Sequence, residues 1–446
     1  MAKKRHVIVG SGTAGLNAVL AIREHDKGDS EIVLVSSERP YSRMVLPYYL
    51  GKTIAETHVF TASPARLAQL GVKDHVGRRA AALDVKAQRL TLDDGTAIEY
   101  DDLLIATGSS AVRAPVPGAD GPGVHSFWTL EEARAVAAGI TAGSHVVMVG
   151  AGFIAFTILN AILKLGARLT VVEIAPQILP RMIDKTGAQL VEDWLKRHGV
   201  AIRTAATLTS IEQANGRQRL RFKDGADLDA DVTIMATGIR TNLEWLNGSG
   251  VKVNRGVVVD DHLRSNVATV YAAGDVAEGR DLVTGEAAVH AIEPTAMEHG
   301  RVVGANMAGV DVAYRGSLLM NIVEVCHLDL ASFGAWDDPG AEVFAAVRPE
   351  RSAYRKLLWR GDRVVGAMIV GRSDDVWTTN DVGMLKGLVQ SGANLGAWKE
   401  HLRRNPFDVK PAFVASGVTK RLLPQTVLGH PALPAGAVQC ANTSQP

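Results

Sequence analysis

The feature that most constrains the fold of this 446-residue chain is an apolar stretch that runs directly into a glycine-rich turn, because it occurs twice. The two copies are HVIVGSGTAG at 6–15 and HVVMVGAGFIA at 145–155. Each is followed by a helical stretch, a second apolar strand and, later, a strand that ends in Ala-Thr-Gly. The later strands are EIVLVS (31–36), DLLIATG (102–108), RLTVVE (168–173) and VTIMATG (232–238). Strands alternating with helices indicate an α/β fold with parallel sheets covered on both faces, built by internal duplication.

The two turns have the pattern of dinucleotide-binding units. The first is G-x-G-x-x-G and the second is the permitted variant G-x-G-x-x-A. The first glycine allows the tight turn, the second lets the backbone approach a pyrophosphate, and free N–H groups at the helix start hold the anion. We therefore predict two Rossmann-like units. The residues assigned to them are Gly10, Gly12, Thr13, Ala14 and Gly15 in the first, and Gly150, Gly152, Phe153, Ile154 and Ala155 in the second.

A glutamate follows the second strand of each unit. Glu38 lies 28 residues after Gly10, and Glu173 lies 23 residues after Gly150. A carboxylate at this place accepts hydrogen bonds from ribose hydroxyls. Because Glu173 would repel a 2′-phosphate, and because the following IAPQ contains no arginine, we expect NADH to be preferred over NADPH.

Composition excludes several other classes of function. The 48 lysines and arginines nearly balance the 47 aspartates and glutamates, so no basic field attracts nucleic acid. The two cysteines, Cys326 and Cys440, argue against a disulfide framework, a metal site and a C-x-x-C centre, and fit the cytoplasm. The apolar run 146–163 is interpreted as a buried strand, turn and helix, so no integral membrane segment is expected.

The segment VATVYAAGDVAEG at 267–279 indicates what the first unit binds. Two nucleotide sites in one chain suggest a dinucleotide that donates electrons and a second that stays bound. Asp275 follows a strand and Gly274, which would place it near the pyrophosphate or the sugar-alcohol chain of a flavin. We expect a helix to begin at Val276 and Ala277.

The order of the motifs predicts four parts of the chain. An FAD-binding domain comprises 1–115 and 243–312, with an NAD-binding domain inserted at 116–242. A C-terminal α+β interface domain at 313–420 is expected to contain strands and then helices, and a tail at 421–446 is either disordered or docked on a partner. Its expected strands are 342–347, 354–360 and 363–371, with a hairpin turn at Gly361 and Asp362, and its expected helices are 375–390 and 395–403.

Taken together, the motifs resemble the FAD- and NAD(P)-dependent pyridine nucleotide-disulfide oxidoreductase superfamily. They are GxGxxG near the N-terminus, IATG (105–108), GAGFIA (150–155), MATGIRTN (235–242) and VYAAGDVAE (270–278), in the family's order. The resemblance adds to the FAD site Ala106, Thr107, Gly108, Gly274, Asp275, Thr295 and Ala296, and to the NAD site Thr237 and Gly238. The segment YRGSLLMNIVEV (314–325) resembles the interface domain of NADH oxidases, rubredoxin and ferredoxin reductases and nitrite reductase flavin domains, which usually forms dimers.

The segment YSRMVLPYYL (41–50) separates the branches of this superfamily. Branches that reduce disulfides or peroxides carry an asparagine-cysteine pair where this chain has Arg43 and Met44. A thioether forms no thiolate, so cysteine-based reduction is disfavoured. Arg43 instead resembles the arginine that helps ferredoxin and rubredoxin reductases to bind FAD. Those reductases have a lysine at Tyr48 and a glutamate at Thr157, so the charged pair they form near flavin N5 is replaced here by neutral residues.

The predicted function is an FAD-dependent NADH:acceptor oxidoreductase. Hydride would pass from NADH to flavin N5, and the electrons would leave without a redox cysteine to an iron-sulfur, rubredoxin-like or oxygenase component. Tyr48, Thr157 and His290 are the candidate catalytic residues, His290 because it precedes the flavin-facing segment. A homodimer or a hetero-complex is expected. The alternatives are an NADH oxidase that reduces oxygen directly, and a flavin-bearing subunit or NADH-sensing protein with weak reductase activity.

Overall fold

The structure is a computed structural model that describes residues 3–418 and the short strands at 426–427 and 430–431. Most of the predicted tail, 421–446, therefore lies outside the described residues. In chain order the described α-helices are α1 (Thr13–Asp26), α2 (Leu46–Leu50), α3 (Pro64–Gln69), α4 (Leu130–Gly139), α5 (Phe153–Lys164), α6 (Lys185–Arg197), α7 (Glu293–Met307), α8 (Val376–Ser391), α9 (Trp398–Arg404) and α10 (Val409–Ala415). Within this part of the chain, no helix combines the length and the apolar character that a membrane crossing requires.

The strands of the described residues form eight sheets. In chain order they are β1 (Arg5–Val9), β2 (Glu31–Ser36), β3 (Val72–Val76), β4 (Ala80–Asp84), β5 (Arg89–Leu92), β6 (Ala97–Glu99), β7 (Asp102–Ile105), β8 (Ser109–Ala111), β9 (Val124–Ser126), β10 (His145–Val149), β11 (Arg168–Val172), β12 (Ala201–Arg203), β13 (Leu208–Ala214), β14 (Arg217–Phe222), β15 (Leu228–Ala230), β16 (Val232–Met235), β17 (Ile239–Thr241), β18 (Val257–Val258), β19 (Val270–Ala272), β20 (Ala277–Arg280), β21 (Ala287–Ala288), β22 (Met320–Val325), β23 (Leu328–Gly334), β24 (Glu342–Arg348), β25 (Ala353–Arg360), β26 (Arg363–Arg372), β27 (Thr426–Val427) and β28 (His430–Pro431).

Each predicted unit forms a five-stranded parallel sheet. The strand orders are β19-β7-β1-β2-β3 in the first sheet and β12-β11-β10-β16-β9 in the second. One face of the first sheet packs on α1, α3 and α7, and the other packs on the antiparallel sheet β4-β5-β6. The second sheet repeats this plan, with α4, α5 and α6 on one face and β13-β14-β15 on the other. The predicted α/β fold with two Rossmann-like units is confirmed, and the apolar run 146–163 is strand, turn and helix.

Helices α1 and α7 pack closely because two glycines of α7 face α1. A Cβ atom at Gly300 would lie 2.2 Å from the carbonyl oxygen of Ala14, and one at Gly304 would lie 2.6 Å from that of Ala18. Any side chain larger than hydrogen would therefore meet backbone. This contact fixes the first turn of α1 beside the middle of α7.

The helix expected at Val276 and Ala277 is wrong. Gly274–Val276 form a single 3-10 turn, and the chain enters β20 at Ala277. β20 pairs with β18 on one side and β21 on the other. The buried carboxylate of Glu278 accepts the N–H of Gly256 at 3.1 Å, which ties β20 to a segment distant in sequence. Pairing with β18 and β21 therefore overrides the local helix signal.

The third region has the predicted α+β character. Its antiparallel sheet has the order β22-β23-β26-β25-β24, with the hairpin turn at Gly361 and Asp362 as expected. Helices α8 and α9 match the two predicted helices, and α10 is additional. The β22–β23 hairpin contacts the second unit: the Asn160 amide donates to the carbonyl oxygen of Glu324 at 3.1 Å, and Trp194 Nε1 donates to that of Cys326 at 2.9 Å.

Candidate active site

A cleft of about 1670 Å³ lies at the carboxyl ends of both parallel sheets. Residues at or just after the ends of six parallel strands line it: Val9, Ala106, Val149, Glu173, Ala236 and Ala273. Ligands of open α/β sheets bind at this edge, where the loops that follow the strands meet. Since both units open into one cleft, ligands bound to the two units would face each other.

The two glycine-rich turns touch the Ala-Thr-Gly ends of neighbouring strands. Gly10 has φ 118°, and a Cβ atom there would lie 2.0 Å from the carbonyl oxygen of Ala106. Gly150 has φ 101°, and a Cβ atom there would lie 2.4 Å from the carbonyl oxygen of Ala236. The paired motifs in the sequence therefore mark one contact, made once in each unit.

Three helices of at least 12 residues start at the cleft without a side-chain cap. The N-cap residues of α1, α5 and α7 are Gly12, Gly152 and Ile292, and none accepts a backbone N–H with its side chain. Helices α6 and α8 begin away from the cleft, and both are capped by an aspartate. The cleft thus contains three sets of free N–H groups suited to phosphate or another electron-rich group. These uncapped starts and the tight glycine turns fit a flavin dinucleotide and a nicotinamide dinucleotide.

Glu38 is held in a polar cluster at the first unit. Its carboxylate accepts the Tyr41 hydroxyl at 2.9 Å and lies 3.2 Å from the Arg43 guanidinium. Burial raises the pKa of Tyr41 to about 12, so its hydroxyl stays protonated. The Arg43 guanidinium lies 5.5 Å from the Tyr41 ring and 5.7 Å from the Trp128 ring. The sequence prediction placed Glu38 and Arg43 in the same site, and the structure brings them into contact.

Asp275 is a largely buried carboxyl group that lines the cleft. Burial raises its pKa, and the Ser109 hydroxyl, which donates to Asp275 Oδ2 at 2.6 Å, only partly opposes this effect. The preceding Gly274 is held by His299, whose Nδ1 accepts its N–H at 3.3 Å. Burial lowers the pKa of His299 to about 3, so its ring stays neutral and Nε2–H faces the Ser317 hydroxyl at 3.1 Å. Asp275 therefore sits on a fixed loop.

Glu173 bonds to the backbone around the second turn. Its carboxylate accepts the N–H of Ala151 at 2.7 Å and that of Ala175 at 2.8 Å. The side chain is buried yet lines the cleft. Glu173 thus connects the glycine-rich turn to the end of β11, and its remaining acceptor capacity faces the cleft.

Two further residues of the cleft, Glu293 and Asn242, were also not found by sequence reasoning. Glu293, the first residue of α7, accepts the Thr13 hydroxyl at 2.8 Å and the Ser42 hydroxyl at 3.0 Å. Asn242, which directly follows β17, donates to the carbonyl oxygen of Thr107 at 2.8 Å and so ties the end of β17 to the first Ala-Thr-Gly segment. An acidic residue directly before the proline at the start of α7 was the available signal for Glu293.

The cleft wall near α5 carries no charged pair. Met44, Phe153, Thr157, Met320 and Ile322 line it, with Met44 46% exposed. The Thr157 hydroxyl donates back to the carbonyl oxygen of Ile154 at 2.7 Å, inside its own helix. This wall is therefore mostly apolar, with its one hydroxyl already bonded.

The structure brings most of the predicted site residues to the cleft. The lining includes Gly10, Gly12, Thr13, Ala14, Glu38, Arg43, Ala106, Thr107, Gly108, Gly150, Gly152, Phe153, Ile154, Thr157, Glu173, Thr237, Gly238, Gly274, Asp275 and Ala296. Gly15, Ala155 and Thr295 pack behind it. Tyr48 is 57% exposed and does not line the cleft, and His290 is buried with Nε2 3.0 Å from Asp281 Oδ2, facing away from it.

Comparison with known proteins also indicates a protein that uses a flavin and NAD(H). The model of the pyridine nucleotide-disulphide oxidoreductase family matches residues 4–297. The epsilon subunit of NADH-dependent phenylglyoxylate dehydrogenase from Aromatoleum evansii is 31% identical, over 80% of this chain and 86% of its own length. The assimilatory nitrate reductase electron transfer subunit of Bacillus subtilis is 28% identical over 84% of this chain, which spans about half (48%) of that protein.

A solved NAD-dependent persulfide reductase from A. fulgidus superposes with a TM-score of 0.83 at 26% identity, covering 93% of this chain and 83% of its own. The match extends through the third region, beyond the residues covered by the family model. The chain is a flavin- and NAD(H)-dependent oxidoreductase and belongs to the pyridine nucleotide-disulphide oxidoreductase family.

Proposed function

We propose that this protein moves electrons between NAD(H) and a partner protein through a bound FAD, with no thiol in the path. The observation that carries the proposal is the cleft shared by two uncapped glycine-rich turns, whose lining includes no cysteine among the residues that the structure describes. When bound, the flavin would supply hydride exchange with the nicotinamide and one-electron exchange with the partner. The protein's own residues bind and orient the two cofactors.

The first unit is proposed to hold FAD rather than a shorter flavin. The start of α1 would bind the pyrophosphate, and Glu38 would accept hydrogen bonds from the adenosine ribose. Asp275, on its fixed loop, would face the sugar-alcohol chain, and the start of α7 would point its N–H groups at the flavin ring.

We propose three domains with the following limits. The FAD-binding domain comprises 1–115 and 243–312, the NAD-binding domain comprises 116–242, and the interface domain comprises 313–420.

The second unit is proposed to hold NADH in preference to NADPH. The start of α5 would bind the pyrophosphate, and Glu173 would bind the ribose and repel a 2′-phosphate. The apolar wall that includes Phe153 and Thr157 would exclude water from the nicotinamide. Because the cofactors supply the hydride chemistry, correct stacking replaces the need for a charged residue pair at this wall.

A protein partner is favoured by the two relatives, both of which are named as subunits of larger enzymes. We propose that the partner carries an iron-sulfur centre or another one-electron centre, as a subunit or a separate carrier in the cytoplasm. The thiol of Cys326 is a poor alternative route. Burial raises its pKa to about 11, and the residue lies in the β22–β23 turn packed on α5 and α6.

Anaerobic stopped-flow mixing of the flavin-loaded protein with NADH tests the proposal. We expect the flavin absorbance to bleach within seconds, faster with NADH than with NADPH, and to the same extent in the Cys326→Ser variant. Flavin that stays oxidised would contradict the reductase function. Rapid, steady NADH consumption in air by the chain alone would instead support an oxygen-reducing oxidase, and slow consumption that a one-electron acceptor protein accelerates supports the proposed partner.

A further inference from the structure

A second cavity, of about 340 Å³, lies in the third region and shares no lining residue with the cleft. It is lined by the end of β24 with the start of β25, the first turn of α8, the segment that joins α9 to α10, and the start of α10. Its volume is in the range that holds one small organic ligand. The chemistry of its walls indicates which ligand class would bind there.

Three cations in this cavity have no acidic partner. Within residues 3–418, Arg348, Arg351 and Lys410 form no ion pair with a carboxylate within 4.0 Å. Two of them lie against aromatic rings instead: the Arg348 guanidinium is 4.1 Å from the Phe407 ring, and Lys410 Nζ is 5.6 Å from the Trp377 ring. The cavity therefore presents positive charge beside aromatic faces.

The three carboxylates of the cavity are occupied elsewhere. Asp381 pairs with the buried Arg355 at 3.1 Å, and Asp408 pairs with His401 at 2.9 Å. Asp375 caps the start of α8 with both of its oxygens. Each carboxylate thus satisfies a local group, and none is bonded to the three cations described above.

We propose that this cavity binds a nucleoside phosphate. The phosphate oxygens would pair with Arg351 and Lys410, since guanidinium and ammonium groups form their strongest hydrogen bonds with such anions. The base would stack on Trp377, which leaves 62% of its surface exposed although it is a large aromatic residue. The site lies on the third region, so its occupancy is a binding event separate from the filling of the cleft.

Equilibrium dialysis of ADP against the flavin-loaded protein in saturating NAD⁺ tests this proposal, because FAD and NAD⁺ then occupy the nucleotide sites of the cleft. We expect one ADP per chain. The double variant Arg351→Ser/Lys410→Ser should weaken ADP binding at least about tenfold, because it removes two charge-assisted contacts. The matched double variant Arg363→Ser/Lys386→Ser removes two cations of the same region outside the cavity and should bind ADP normally.

The Trp377→Ala variant separates stacking from phosphate binding. It should weaken ADP binding while leaving the binding of inorganic phosphate unchanged. Flavin content and melting temperature show whether each variant is folded. The proposal is overturned if the wild-type protein binds no ADP under these conditions, or if Arg351→Ser/Lys410→Ser and the matched double variant bind ADP equally.

Discussion

The two nucleotide units share one turn geometry but pack their first helices differently. Helix α1 meets α7 backbone to backbone through Gly300 and Gly304. Helix α5 instead packs through its own large buried side chains, among them Phe156 and Ile162, and contacts the β22–β23 hairpin of the third region. The third glycine position shows the same contrast, since a Cβ at Gly15 would lie 1.9 Å from the carbonyl oxygen of Gly10, whereas the second unit accommodates Ala155 there.

This difference indicates how well each nucleotide site tolerates substitutions. Backbone-to-backbone packing cannot absorb an added methyl group without moving a helix, whereas side-chain packing can readjust rotamers. The first unit should therefore lose its ligand when a single glycine is replaced. The second unit should respond in a graded way, mainly in affinity for the nicotinamide dinucleotide.

The largest expected effect is that of Gly300→Ala. The added Cβ would lie 2.2 Å from the carbonyl oxygen of Ala14, so α7 must move away from α1 and the flavin site opens. We expect a loss of about 3 kcal/mol or more in the free energy of unfolding, together with loss of bound flavin. Denaturant unfolding and the flavin-to-protein absorbance ratio measure both.

The matched control for this prediction is Gly383→Ala. Gly383 lies within α8 and a Cβ there would meet nothing within 4 Å. Alanine at this place should stabilise the protein by about 0.5–1 kcal/mol, because it restores helix propensity without a clash. Equal effects of the two substitutions would contradict the close packing of α1 and α7.

The second expected effect concerns Asp275, which burial makes costly to ionise. A carboxyl group whose pKa is raised on folding favours the folded state at low pH, and this contribution is lost as pH rises from its ordinary value of 3.8 through the raised one. In the flavin-free protein, Asp275→Asn should therefore stabilise at neutral pH, by about 1–3 kcal/mol. The advantage should shrink as pH falls toward 4.

The same substitution should weaken flavin binding, because the carboxylate is proposed to accept hydrogen bonds from the bound flavin. Melting temperatures of the flavin-free protein across pH, with flavin titration at neutral pH, test both halves of the prediction. The exposed Asp337→Asn serves as the control and should change neither quantity. A flavin-free Asp275→Asn protein that is less stable than the wild type at neutral pH would contradict the buried-charge argument.

Features that depend on local contacts could be predicted from the sequence, and features that depend on contacts between distant segments could not. The glycine turns, the parallel strands and the β25–β26 hairpin were predictable because turn geometry and apolar periodicity are local properties. The strand at β20 was not, since its partners come from other segments. Glu293 and Asn242 were missed because their roles depend on Thr13 and Thr107, which lie far away in the sequence and meet them only after folding.

A third prediction tests the second unit through Glu173→Ala. Removing the carboxylate leaves the N–H groups of the buried Ala151 and the partly buried Ala175 without their acceptor and loosens the turn. We expect the KM for NADH to rise about tenfold with a smaller change in kcat, while the flavin stays bound. Steady-state kinetics with a fixed acceptor and the flavin content measure this. Glu173→Gln keeps one acceptor oxygen, so its KM for NADH should lie between those of the wild type and Glu173→Ala.

Loss of flavin from Glu173→Ala with an unchanged KM for NADH would contradict the assignment of the two units. It would mean that the second turn supports the flavin and not the nicotinamide dinucleotide.

The smallest expected effect is on the rate of flavin reduction. It tests whether side chains of the apolar wall contribute to hydride transfer in addition to the glycine-rich turns. The Thr157 hydroxyl already donates to the carbonyl oxygen of Ile154, and Tyr48 is exposed and does not line the cleft. If cofactor stacking alone supports hydride transfer, Thr157→Val and Tyr48→Phe should each change the anaerobic rate of flavin reduction by less than about threefold. A tenfold loss in Thr157→Val, with flavin content and the dissociation constant for NADH unchanged, would show that this hydroxyl leaves its helix and contacts the nicotinamide. The neutral wall would then contribute to the reaction directly, and the turns would no longer suffice to explain it.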